Sequence, residues 1–278
     1  MGFVPLIEVT RGNLAECQHW GAVAVADRNG RVLAQAGDPY TVTFTRSTIK
    51  AFQALPFMQS GGAQTLGWGA GELALLCASH NGEAMHVDQV ERMLGSVGQN
   101  YRALRCGCHR PLFAELGLGS LPDGFVPDER HNNCSGKHAG FVAHCVQQGW
   151  PLDNHLDPAH PLQQAIREHV AQAVGLEPEQ LAMGIDGCSA PNYAMPLAHL
   201  ARGYARLAGG APDTDLDQSL TALADAMVQR PELGSGTGRH DLDFMRAGRG
   251  DWVSKTGADG VQVVGSRSRG EAFALKIM

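Results

Sequence analysis

The sequence predicts an α+β fold in which strands from both chain ends build one antiparallel sheet around a largely helical inserted region. Two observations carry this. β-like runs broken by turn residues occupy 21–37 and 252–278, and helical periodicity dominates between about 60 and 235. A chain of 278 residues can bury a substantial core, as one large domain or two interleaved ones. The corresponding division is a discontinuous sheet domain, 1–60 with 238–278, and a mostly helical inserted domain, 61–237.

In chain order, "GAVAVADRNGRVLAQAG" (21–37) reads as two strands joined by Asn29-Gly30, a pair suited to a tight hairpin turn. "TRSTIKAFQALP" (45–56) then starts as a helix, with Thr45 as N-cap and Pro56 limiting its length. On that helix Ser47, Lys50 and Ala54 share one face, and Ile49, Phe52 and Pro56 another. "AMHVDQVERMLGSV", "PLQQAIREHVAQAVGL" and "SLTALADAMVQR" all carry helical spacing. After "ELGSGTGRHD", read as a flexible connection, come "DWVSKTG", "VQVVG" and "EAFALKIM", separated by the turns "ADG" and "SRSRG". In the last run Phe273, Leu275 and Ile277 alternate with small or charged residues, the pattern of a half-buried strand.

Composition narrows the function. The net charge of −6, without basic runs, argues against nucleic acid as a partner. The start "MGFVPLIEVTRGN" lacks the charged-then-apolar order of a secretory leader, and Leu6 stands where myristoylation wants Ser or Thr. No apolar run is long enough to span a bilayer. Seven cysteines, an odd number in a chain of this size, suggest a reducing, cytoplasmic setting with thiols free for burial or metal binding. Glycine is about twice as frequent as its average of about 7% and clusters beside polar residues in "SHNGE", "NNCSGKHAG", "GIDGCSAP" and "GSGTGRHD". Backbone that turns sharply beside reactive groups has this look, although plain loops share it.

Three short motifs bear on chemistry. Ser47-x-x-Lys50 opens a helix, Ser79-His80-Asn81 follows it, and Lys255-Thr256-Gly257 lies on a late strand. Each is weak alone. In this order, and on these elements, they match the Ser-x-x-Lys, Ser-x-Asn and Lys-Thr-Gly pattern of serine β-lactamases and penicillin-binding proteins. A serine hydroxyl becomes a nucleophile when a nearby base takes its proton. A lysine one helical turn away serves when its amine is uncharged, a state favoured by burial and by a neighbouring ammonium, for which Lys255 is the candidate. Without Lys255, the plainer reading of an exposed helix lysine beside a first-turn serine would stand.

Two further segments are richer in donors. "HNNCSGKHAGF" places Cys134 and Lys137 three apart at a loop-to-helix junction, and "GIDGCSAPNYAMP" places Asp186 and Cys188 on a glycine-flanked loop. His131, His138, Cys106, Cys108 and His109 are nearby in sequence, but no spacing names a metal unaided, and buried thiols in glycine-rich loops explain it equally. The Gly-Ser-Gly-Thr-Gly stretch at 234–238 follows a helix rather than a strand, so it fails the context of a dinucleotide or phosphate loop.

Taken together, "RSTIKAFQALP", "LLCASHNGE", "CGCHRP", "NNCSGKHAGF" and "GIDGCSAPNYAMPL" closely resemble the Rhizobium etli-type L-asparaginases, a thermolabile bacterial family with a serine β-lactamase-like fold. The resemblance covers nearly the whole chain. It implies hydrolysis of the asparagine side-chain amide to aspartate and ammonia, with Ser47 and Lys50 as one Ser-Lys pair and Ser79, helped by Lys255, as the second. It implies zinc held by Cys134, Lys137 and Cys188, with Asp186 beside them, and a homodimer. A lysine ligand must lose its proton, so such binding weakens as pH falls. Arg46 is placed by charge complementarity to hold the substrate's α-carboxylate, with Asp186 as a second substrate contact. Family members usually continue beyond "FALKI" into a helix that covers the sheet, so the end at Met278 leads us to expect an apolar patch there.

Two other readings differ in class. A β-lactamase-like serine hydrolase on glutamine, a peptide or an ester predicts acylation by penicillins; the Cys-Lys-Cys set argues against it. An inactive, shortened metal-binding homologue predicts bound zinc without turnover.

Overall fold

A computed structural model describes residues 2–209 and 214–278. The strands are β1 (Val4–Arg11), β2 (Leu14–Asp27), β3 (Val32–Ala36), β4 (Val42–Phe44), β5 (Ala182–Ile185), β6 (Pro191–Pro196), β7 (Trp252–Gly257), β8 (Val261–Ser266) and β9 (Glu271–Ile277). The architecture is α+β. Both chain ends meet in one antiparallel sheet of order β1-β2-β9-β8-β7, with β3 paired to β2. The register that joins the ends sets Val23 opposite Leu275 and Val25 opposite Phe273. A second sheet, β4-β6-β5, joins the segment before Ser47 to two strands from the middle of the chain.

The 21–37 hairpin forms as expected, with β2 paired to β3. Two features of the sequence expectation change. The N-terminal residues form β1, turned onto β2 at Gly12, whose φ of +61° suits the residue without a Cβ. The middle of the chain, expected to be helical, also supplies β5 and β6, whose pairing carries Asp186 and Cys188 on the turn between them.

The last strand is half-buried, as its alternation predicts, and its small residues are the ones that face inward. Ala272 and Ala274 are buried, together with Ala22, Ala24 and Ala26 on β2, whereas Phe273, Leu275 and Ile277 lie on the partly exposed side. The cause is the helix Leu197–Ala208, which lays Leu200, Tyr204 and Leu207 against this face. Its backbone comes so near that a Cβ on Gly265 would stand 2.7 Å from Tyr204 O and 2.7 Å from Ala208 Cβ. Small residues therefore line the covered face. On the opposite face Val25, Phe244, Trp252 and Phe273 border an apolar groove of about 290 Å³.

The Ser47 segment differs from a single capped helix. It is a 3₁₀ turn, Arg46–Ile49, followed by two short helical turns, Lys50–Gln53 and Leu55–Gln59. Thr45 does not cap it through its side chain; its hydroxyl donates to Tyr193 O at 2.8 Å, tying the turn to β6. Pro56 does not end the segment either. It sits in the first turn of the second piece, where its missing N–H has no intrahelical partner to lose.

Gly265→Val should force the helix off the sheet, costing about 1–3 kcal/mol of stability. A urea melt with an unchanged midpoint would contradict this packing.

Candidate active site

Ser79 reaches the site because the helix Ala70–Leu76 ends just before it and packs unusually close to the helix Ser135–Gln148. A Cβ on Gly136 would lie 2.4 Å from Leu75 O, so glycine permits this approach. Downstream the backbone is pinned from two sides: Ser79 N–H donates to Gly234 O at 3.1 Å and His80 N–H to Asn133 O at 3.2 Å. The glycine-rich loop at 234–238, expected to be a flexible connection, is thus bound to the Ser79 segment, and Asn81 Nδ2 also donates to Thr237 O at 2.8 Å.

Lys50 and Lys255 are both about 2% exposed. Lys50 Nζ donates to Ser79 Oγ at 2.9 Å and to Ala78 O at 2.5 Å, and approaches Asn133 O at 3.5 Å. The lysine of the first motif therefore meets the serine of the second. Ser47, one turn away, is half-buried and makes no side-chain hydrogen bond among the described residues. Lys255 does not bond Ser79. Its amine donates to Asp241 Oδ2 at 3.2 Å and to Thr256 O at 2.9 Å. Burial lowers the Lys255 pKa, Asp241 opposes that, and the nearby Lys50 lowers it further. Asp241 itself is buried, which favours the neutral acid, but the Lys255 charge and hydrogen bonds from Thr256, Ser254 and Gln262 hold it below the usual carboxylate range.

Beside this pair lies the thiol cluster. Cys134 stands at the N-cap of Ser135–Gln148, where Asn132 Oδ1 accepts its N–H at 2.8 Å. Lys137 Nζ donates to Cys188 Sγ at 3.2 Å, Cys134 Sγ donates to Asn133 Oδ1 at 3.5 Å, and the two sulfurs are near enough to affect each other electrostatically. The Cys134 thiol, the Lys137 charge and His138 outweigh burial and lower the Cys188 pKa; Cys188 and burial raise that of Cys134. His138 is fully buried, its pKa pushed down to about 4 by burial.

The other donors are placed less usefully. Cys106 is buried near Cys188, and burial pushes its thiol up to about 12. Cys108 is exposed, His109 Nε2 accepts the Asn133 N–H at 2.9 Å, and His131 Nδ1 accepts the Asp128 N–H at 3.1 Å. Among the described residues no three His, Cys, Asp or Glu side chains converge as a metal site.

Arg46 occupies the left-handed region at φ +51°. Asn192 holds it there, accepting the Arg46 N–H at 3.1 Å and donating to Arg46 O at 2.9 Å. The guanidinium bonds Asp186 at 3.0 Å and also pairs with Asp259 on the β7–β8 turn. Arg46, Asp186, Asn192, Asp259 and Lys276 border a cavity of about 400 Å³, whose wall does not include Lys50 or Ser79. Asp241, Asn133 and Asn192 were missed by motif reading. Each acts through backbone or through another side chain, and only the adjacency of Asn133 to Cys134 hinted at one of them.

A family model described as L-asparaginase II matches residues 7–278. The chain belongs to that family. Membership supports amidohydrolase chemistry of the asparaginase kind across nearly the whole chain. Among solved structures, the chain is similar to a β-lactamase from Mycobacterium bovis, with 15% identity, TM-score 0.41, and coverage of 92% of this chain and 86% of that one. A candidate β-lactamase from Bacteroides dorei gives 14% identity, TM-score 0.44, and coverage of 92% and 84%. Both likenesses are distant and say nothing of this chain's chemistry. No curated protein matches the sequence significantly.

Asn192→Ala removes both bonds that hold Arg46 in its left-handed conformation. It should cost about 1–3 kcal/mol and lower turnover. A variant with wild-type stability in denaturant would show that Arg46 needs no such support.

Proposed function

We propose that this member of the family hydrolyses the side-chain amide of L-asparagine to L-aspartate and ammonia, with Ser47 as the nucleophile. The observation that carries this is the buried Lys50 amine 2.9 Å from Ser79 Oγ, one turn from a half-exposed Ser47. Ser47 is partly exposed beside Arg46, which borders the cavity, while Ser79 is buried and already bonded to the lysine. Ser79 and Lys50 form a short path for the proton released when Ser47 Oγ bonds the amide carbon. That proton goes to the leaving nitrogen as the C–N bond breaks and ammonia departs. Water then cleaves the resulting ester, restoring the serine and freeing aspartate. Arg46 and Asp186 offer a cation and an anion for the α-carboxylate and α-ammonium.

The Cys134, Lys137 and Cys188 donors suit zinc. Two thiolate sulfurs match its ligand preferences, a neutral lysine amine is an unusual third nitrogen donor, and ligands on a tetrahedral zinc lie about 3.6 Å apart. The 3.2 Å from Lys137 Nζ to Cys188 Sγ approaches that spacing. Bound there, zinc would act as a Lewis acid or substrate anchor. A homodimer and a cytoplasmic location belong to the same proposal, the latter supported by seven free cysteines; no helix among the described residues is long and apolar enough to cross a membrane.

Ser47→Ala should reduce ammonia release from L-asparagine by about 10³-fold or more, and Ser79→Ala by about 10²–10⁴-fold, both with the fold retained. Turnover persisting in Ser47→Ala but lost in Ser79→Ala would move the nucleophile to Ser79. L-Glutamine and a penicillin run in parallel separate the asparaginase from a hydrolase of another amide. Wild-type chain should bind about one zinc by elemental analysis, and Cys188→Ala should lose it. Zinc retained by that variant would place the metal elsewhere, and zinc without any turnover would indicate an inactive metal-binding homologue.

A further inference from the structure

Asp241 belongs to none of the three motifs, yet it organises one of them. It lies in the first turn of the helix His240–Ala247 and is 3% exposed. Oδ1 is 2.9 Å from Ser254 Oγ, 3.0 Å from Thr256 Oγ1 and 3.3 Å from Gln262 Nε2. Oδ2 accepts from Lys255 Nζ at 3.2 Å and from the Thr256 N–H at 2.9 Å. β7 is the edge strand of the sheet, so that N–H has no strand partner on its outer side and the carboxylate takes its place.

A buried carboxylate with this many donors stays ionised, and its charge has to be met inside the protein. The groups that face Lys255 electrically are Asp241, Lys50, Arg239 and the Cys77 thiol; Tyr204 faces Asp241. Asp241 is the one carboxylate among them, and it contacts Lys255 rather than Lys50. Lys50 instead meets a serine hydroxyl and backbone carbonyls.

We infer that Asp241 is a positioning residue that holds Lys255 beside the Ser79–Lys50 pair and keeps its amine charged at neutral pH. This rests on the Ser-Lys reading above. The Gly-rich loop at 234–238 sets the geometry, since it is bonded to the Ser79 segment and runs directly into the helix that carries Asp241. Removing the negative charge leaves Lys255 with burial and Lys50 acting against its proton and only carbonyl and hydroxyl groups acting for it. The amine then releases its proton at lower pH.

The test compares wild type, Asp241→Asn and Asp241→Glu by the pH dependence of kcat/KM on L-asparagine and by the ¹³Cε resonance of Lys255 in lysine-labelled protein. Wild type should keep Lys255 charged at neutral pH. Asp241→Asn should lower activity about 10²-fold and move both the Lys255 titration and the alkaline limb of activity down by about one pH unit or more. Asp241→Glu keeps the charge and should hold both near their wild-type positions even if stability falls. Asp241→Asn with only a lower melting temperature and unmoved titrations would reduce Asp241 to a structural role and overturn the proposal. A wild-type Lys255 that is neutral at neutral pH would also overturn it, and this needs no variant to fold. If wild type releases no ammonia from asparagine, the proposed function fails while the Lys255 resonance still decides the role of Asp241.

Discussion

Two lysine side chains share one dry region of this protein, and much of the surrounding structure is arranged to tolerate them. Ammonium groups in a low-dielectric interior repel one another and lose hydration that must be replaced. Lys50 is met by Ala78 O, Ser79 Oγ and Asn133 O, and Lys255 by Asp241 and Thr256 O. Every one of these oxygens comes from a segment far from its lysine in sequence, apart from Thr256. Lys255 comes beside Lys50 because β7 packs closely on the Arg46–Ile49 turn, where a Cβ on Gly257 would lie 2.9 Å from Thr45 O, which ties the chemistry to the closure of both chain ends into one sheet.

Close packing supplies the closure. The alanine-rich inward face of β2 and β9, and Gly265 on β8, let the helix Leu197–Ala208 sit directly on the strands. From that helix Tyr204 reaches across to donate its hydroxyl to Thr48 O at 2.8 Å, steadying the turn that presents Ser47. Gly136 does the same between two helices and brings Ser79 and Asn133 O to Lys50. Nearby, Lys137 and Cys188 form a second buried polar contact, Nζ to Sγ at 3.2 Å.

Much of this was legible in the sequence, for reasons that differ by element. Asn29-Gly30 and the turns between β7, β8 and β9 announce themselves through residues that only certain backbones accept. The Ser47, Ser79 and Lys255 motifs, and the Cys134, Lys137 and Cys188 set, could be read because their residue types carry chemistry. What escaped depends on proximity across the chain. The alternation in the last strand left its inward face open; the nearness of a helix backbone selects for small residues, so Ala272 and Ala274 face the core. Gly12-Asn13 was a usable hairpin signal that reading the N-terminus only for a leader peptide passed over. The bond from Lys50 to Ser79 rather than Ser47 follows from where Ala78 and Asn133 place their carbonyls, and Asp241 lies in a helix with no motif around it.

The central claim is that Ser47 forms a covalent ester with the substrate while Ser79 and Lys50 handle its proton. Rapid acid quenching of the enzyme during turnover of L-asparagine, followed by peptide mapping with mass spectrometry, tests it most directly. The account predicts an aspartyl adduct on Ser47. An adduct on Ser79, or steady ammonia release with no adduct on either serine, would contradict it.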